Sequence, residues 1–257
     1  MVKYVMKRYV PTAVLLLTLL TSPLAVKAQV GEYRTDLAVG INGGYVLSNV
    51  SFVPTVPQTM LGGMTGGVTV RYTCEKYFKS ICAIVAEVNY AQLGWKEDIR
   101  TVDDQPVMNQ GEAEAYERRI NYVQVPVMAR LGWGRERRGA QFFFQVGPQL
   151  GFYLSESTKT NFDVLSANHT DRASHVVAQD SMAVEKKFDY GIAAGLGVEY
   201  SVPKVGHFLV EGRYYYGLGN IYGNSKRDYF GRSNFGNIVI KVSYLFDIVK
   251  TRNNKIK

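Results

Sequence analysis

The chain has 257 residues, 30 Lys plus Arg against 22 Asp plus Glu, two cysteines, 25 glycines and 18 tyrosines. A disordered chain would be short of aromatic and β-branched residues, and beyond residue 25 no apolar run approaches the roughly 20 residues of a membrane-spanning helix, so both classes are excluded. The formal charge of +8 would point to nucleic acid or anionic lipid, but only if those charges share a surface.

They do not. Lys3, Lys7 and Arg8 precede the apolar run Val10 to Leu20, and Val26-Lys27-Ala28 forms a small-residue site ahead of Gln29. This is the layout of a secretory signal peptide cleaved near Ala28. The run is too short for a transmembrane anchor, and Gln29 stands where a lipoprotein would need cysteine. Residues 1–28 carry four cations and no acids, which leaves 26 positive against 22 negative charges, a net of +4. Residues 247–257, with Lys250, Arg252, Lys255 and Lys257 against Asp247, account for +3 of that. The expected organisation is a signal peptide over 1–28, a barrel over 29–246 and a basic tail over 247–257, with no nucleic-acid partner.

From Leu37 to Phe246 the dominant period is two, in eight segments that alternate apolar with small or polar residues. Leu37, Val39, Ile41, Tyr45 and Leu47 share the apolar face of the first, and Met64, Val68, Val70 and Tyr72 that of the second. Ile84, Ala86, Val88 and Tyr90 form the third, and Val123, Val125, Val127, Ala129, Leu131 and Trp133 the fourth. The fifth has Phe142, Phe144, Val146, Leu150 and Phe152, and the sixth Phe188, Tyr190, Ile192, Ala194, Leu196, Val198 and Tyr200. Phe208, Val210, Tyr214, Tyr216 and Leu218 mark the seventh, and Ile238, Ile240, Val242, Tyr244 and Phe246 the eighth. Each matches the roughly 9 to 11 residues of a tilted membrane strand.

The expected connections are 48–59, 74–80, 96–119, 134–138, 155–187, 203–206 and 219–236. Long and short alternate throughout, as in outer-membrane barrels with short periplasmic turns and long external loops. A soluble barrel would also alternate, with its apolar face inward. Here the second face is rich in glycine and poor in the Lys and Glu of a solvated surface, which suits the cramped lumen of eight strands. The apolar face ends in aromatics at both strand ends, the arrangement of interfacial girdles. The predicted fold class is all-β, an eight-stranded antiparallel up-and-down transmembrane β-barrel.

Several stretches carry a family resemblance. They are Val39-Gly40-Ile41-Asn42-Gly43-Gly44 with Ser48-Asn49, Glu87-Val88-Asn89-Tyr90 with Gly94, and Tyr122-Val123-Gln124-Val125-Pro126. Gly147-Pro148, Phe188-Asp189-Tyr190-Gly191, Gly195-Leu196-Gly197, Arg213-Tyr214-Tyr215, Gly217-Leu218 and Tyr244-Leu245-Phe246 follow in order. Over essentially the whole mature chain these resemble the PorT-like outer-membrane β-barrel proteins of Gram-negative bacteria. The resemblance implies a non-enzymatic barrel without cofactor or metal, with outer-membrane lipid and envelope or secretion-machinery proteins as partners. The best-known members take part in type IX secretion of cargo proteins. Two departures stand out: Gln124 replaces the family's usual Glu, and eleven residues follow Phe246.

The face assignment puts Arg71, Glu87, Arg130, Asp189, Glu199, Glu211, Arg213 and Lys241 in the lumen, four positive and four negative. Unpaired, each would cost several kcal/mol, so a mutually paired set that fills the barrel is expected, with no large stable conductance. The alternatives are a proton or ion path in a small-solute porin or transporter. Cys74 and Cys82 flank the second turn with the same face parity, and antiparallel neighbours can meet the Cα separation of about 5.5 Å that a disulfide needs; two free thiols are the alternative. A rim-active membrane hydrolase would need His169 or His175 near Asp163, Asp171 and Asp180, but no nucleophile with a fixed partner is evident. Asn168-His169-Thr170 and Asp180-Ser181-Met182 fit loose glycosylation patterns. Gly195-Leu196-Gly197 and Gly217-Leu218-Gly219 open no helix and are not dinucleotide fingerprints.

Overall fold

The computed structural model describes residues 32–77, 79–109, 111–136, 138–164 and 171–250; the expected signal peptide, His169 and the end of the basic tail lie outside the described residues. Eight long strands carry the fold: β1 (Glu32–Val53), β2 (Leu61–Tyr77), β3 (Ser80–Glu97), β4 (Tyr116–Gly134), β5 (Gly139–Thr160), β6 (Phe188–Val202), β7 (Gly206–Gly217) and β8 (Arg232–Val249). Each pairs antiparallel with its neighbours in sequence, and β1 pairs with β8 from Leu37–Val249 to Val53–Arg232. The ring is therefore closed, and none of these eight strands is left as a sheet edge to pair with another chain.

The period-two pattern holds on both faces. Ile41, Met64, Val88, Phe142, Leu196, Val210 and Ile240 point outward and are exposed, while Asn42, Thr69, Glu87, Gln145, Glu211 and Lys241 are buried inside. Tyr72, Trp133, Phe142, Tyr200, Phe208 and Phe246 ring the short-turn end; Tyr45, Tyr90, Phe152, Phe188, Tyr214 and Tyr216 ring the other. Small residues make room within: a Cβ on Gly197 would lie 2.6 Å from the Phe143 ring, which fills the lumen beneath it. At the β6–β7 turn Lys204 and Gly206 take positive φ of 64° and 141°, the left-handed geometry that tight hairpins favour.

The strands differ from expectation in length. At the long-loop end β3, β4 and β5 run to Glu97, Tyr116 and Thr160, through stretches that read as loops. Alternation persists there but its polarity inverts: Leu93, Trp95, Tyr116, Ile120 and Tyr122 are buried, while Lys96 and Lys159 face out. A membrane strand hides polar groups inside, whereas a strand that has left the bilayer behaves like one in a soluble barrel. Gly94, with φ of 150°, marks the change, since a Cβ there would meet the Arg118 carbonyl oxygen at 1.9 Å. At the opposite end β8 continues past Phe246 to Val249.

Candidate functional site

Two charge clusters occupy the lumen. In the lower one, nearer the short turns, Glu199 on β6 accepts hydrogen bonds from Arg71 on β2, 2.7 Å from Nη1 to each carboxylate oxygen. Arg130 on β4 donates to the same carboxylate, its guanidinium lying 3.8 Å from the centre of the Phe143 ring. The β6–β7 pairing sets His207 opposite Ser201, so that Nδ1 lies 2.7 Å from Glu199 Oε1 and 2.9 Å from Ser201 Oγ. Its Nε2 lies 3.0 Å from Asp247 Oδ1. Asp247 thus closes the lower mouth from the extension of β8, and the space left beside this cluster is water-sized, about 30 Å³.

In the upper cluster Glu87 on β3 accepts from Arg213 Nη1 and Nη2, both at 3.0 Å, and from Lys241 Nζ at 2.5 Å. Glu211 accepts from Arg213 Nε at 2.7 Å and from Gln145 Nε2 at 2.6 Å. Asn89 donates to Glu87 at 2.8 Å, and Asn42 donates to Asn89 and Thr69 at 2.8 Å each. These partners come from β1, β2, β3, β5, β7 and β8, so the network ties the ring across its diameter. The structure thus brings Arg71, Glu87, Arg130, Glu199, Glu211, Arg213 and Lys241 into two clusters and leaves Asp189 apart from both. Asp189 Oδ2 instead accepts from the Tyr215 hydroxyl at 2.7 Å. Gln124 also faces the lumen, buried opposite Asn89 and Gly151.

Above Asp189 the lumen turns apolar and is stoppered. Phe52 of β1 and Trp95 of β3 meet edge to face at 5.3 Å, and Tyr222 and Phe230 of the β7–β8 loop stack at 5.5 Å beside them. Phe162 and Val184 of the β5–β6 loop join the same core. Over it sits a short helix, α1 (Ala178–Ser181). Arg118 on β4 pins this plug: it donates to the Gln179 carbonyl at 3.3 Å, to the Tyr222 hydroxyl at 2.8 Å and to the Met182 carbonyl. Arg172 bridges Glu114 and Asp180 at 2.8 and 3.4 Å. Sequence reasoning missed this assembly, although the alternation of Leu93, Trp95 and Glu97 was a signal for the part on β3.

At the centre of the plug, Glu97 Oε1 accepts from Gln179 Nε2 at 2.9 Å and from Trp95 Nε1 at 3.4 Å. Burial first, then the neighbouring Asp180 carboxylate, push the Glu97 carboxyl up to about 8. The folded chain therefore holds a proton that the unfolded chain releases near pH 4.3. Plug stability is fully present below that value and falls as pH rises towards 8. Hydrogen exchange at the α1 amides, corrected for intrinsic rate, is expected to show weaker protection at pH 8 than at pH 5. Glu97→Gln should flatten the dependence.

The remaining candidates lie apart from this core. His175 is exposed on the β5–β6 loop, and among the described residues no cluster of His, Cys, Asp and Glu is arranged to hold a metal. Cys74 occupies a bulge of β2, its Sγ 3.6 Å from the Cys82 carbonyl oxygen, and both thiols are free. Their proximity leaves oxidation accessible, and intact mass after alkylation, with and without prior reduction, reads it: an oxidised pair takes up two alkyl groups only after reduction, a free pair without it.

Residues 27–223 match the family model described as outer membrane protein beta-barrel domain. The chain belongs to this outer-membrane β-barrel family. It therefore resides in the outer membrane of a Gram-negative bacterium, with its outward apolar belt in lipid and its short turns on the periplasmic side. No curated protein sequence matches it. Among solved structures it is similar to Ail, the attachment invasion locus protein of Yersinia pestis, solved with the heparin analogue sucrose octasulfate (13% identity, 82% of this chain and 99% of that one, TM-score 0.34). It is also similar to Neisserial surface protein A (10% identity, 82% and 97%, TM-score 0.39) and to OprG of Pseudomonas aeruginosa (13%, 84% and 98%, TM-score 0.41).

Proposed function

We propose that the protein is a non-enzymatic outer-membrane barrel of the PorT-like kind, closed to solutes, that serves as a structural and interaction component of the cell envelope. The observation that carries this reading is the filled lumen, two charge clusters beneath an apolar stopper, in a barrel of only eight strands. Such an interior leaves the outer loops and periplasmic turns as the surfaces on which partners can act. The short strand-to-strand turns at 135–138 and 203–205 present Arg135, Arg138 and Lys204 to the periplasm, where secretion-machinery proteins would meet them. An accessory role in type IX secretion rests on the family resemblance.

Photocrosslinking in intact cells from single sites in 98–115, 171–187 and 135–138 tests the reading. Discrete protein adducts from at least one site are expected. Absence of adducts from all three would leave a passive barrel without partners and overturn the interaction role.

A further inference from the structure

Above the outer aromatic ring, the charged positions on the strands concentrate on β3, β4 and β5. Beyond Tyr90, Val123 and Phe152, the outward positions of β3, β4 and β5 form cross-strand rungs. The first rung is uncharged, Gln92, Asn121 and Ser155, with Asn121 Nδ2 donating to Ser155 Oγ at 2.9 Å. Arg119 stands in the next, and the third is Lys96, Glu117 and Lys159. Arg119 Nε donates to Glu117 at 2.5 Å, so that acid is taken. Neither Lys96 nor Lys159 has an ion-pair partner among the described residues. Elsewhere, across 47–53, 61–66 and 232–238 on the upper ends of β1, β2 and β8, the single charged residue is Arg232.

Aromatic rings sit at headgroup level, and successive outward residues are about 7 Å apart along a strand. With a strand tilt of about 40° each rung rises roughly 5 Å, so Arg119 stands about 10 Å and the lysines about 15 Å above the ring. From there the long lysine stems can reach back down to the headgroup layer that holds the phosphates and sugars of outer-leaflet glycolipid. We propose that this face of β3–β5 binds a phosphorylated saccharide lipid of the outer leaflet. Lys96 and Lys159 meet its phosphate, the amides and hydroxyl of the first rung meet its sugar, and Tyr90 and Phe152 border its acyl chains. The assignment does not depend on whether the barrel conducts.

Native mass spectrometry of the folded full-length barrel, incubated with diphosphoryl lipid A, with chemically dephosphorylated lipid A and with phosphatidylethanolamine, tests this. One lipid A per barrel is expected, retained about tenfold or more better than either other lipid. The Lys96→Gln, Lys159→Gln double variant should lose that preference while keeping the heat-modifiable gel mobility of a folded barrel. Arg232→Gln should keep it. Equal retention of dephosphorylated lipid A, unchanged preference in the double variant, an equal loss in Arg232→Gln, or full displacement by millimolar inorganic phosphate would each overturn the assignment.

Discussion

Replacing Glu87 by Gln is expected to lower the stability of the folded barrel by about 3–5 kcal/mol, the range for breaking a buried ion pair by removing one partner. Glu87 is the shared acceptor of Arg213 and Lys241. Without it two cations face Glu211 alone, at 2.7 and 3.5 Å, in a space that water cannot enter freely. Urea unfolding in lipid vesicles, followed by tryptophan fluorescence, measures the loss. Adding Lys241→Met to Glu87→Gln restores the balance of one cation to one acid, so the double variant should be more stable than Glu87→Gln alone. A double variant with the summed loss of its two single changes would show that the two residues do not act as a pair.

Arg118→Ala is expected to free the outer plug while leaving the barrel folded. One buried guanidinium holds the Gln179 and Met182 carbonyls and the Tyr222 hydroxyl, which belong to two different loops. Losing these charge-assisted bonds costs about 3 kcal/mol, a roughly hundredfold rise in the open population. Trypsin added to vesicles with the loops outward reads that population at Arg172, which is 4% exposed in the closed plug. Cleavage after Arg172 should accelerate by about two orders of magnitude in the variant. The charge clusters beneath are untouched, so the freed plug should not by itself create a conducting pore.

Strand number, order and facing were legible in the sequence because a barrel in lipid imposes period two with little tolerance. Phe142, Phe144 and Val146 can face only outward, and Gln141, Gln145 and Gln149 only inward. The charged lumen residues followed from the same parity. Which charges meet was not legible: Glu87 and Lys241 are 154 residues apart, and their contact depends on the stagger of the whole ring. His207 sat on the correct face, but its partner Asp247 lay beyond the expected barrel end at Phe246. The plug was hidden for a different reason. Where the strands leave the bilayer their polarity inverts, so Tyr116, Arg118 and Ile120 resemble a polar loop, and Gln179 and Tyr222 come from segments with no regular period.

Eight strands enclose a lumen already filled by its own side chains, and planar-bilayer recording from the purified, folded, full-length chain tests whether that lumen is closed. The filled lumen predicts a quiet membrane, with no steady current steps across a wide voltage range. Reproducible, long-lived steps of nanosiemens size would contradict it, because they would require an open aqueous path past Glu199, Glu87 and the Trp95 stopper.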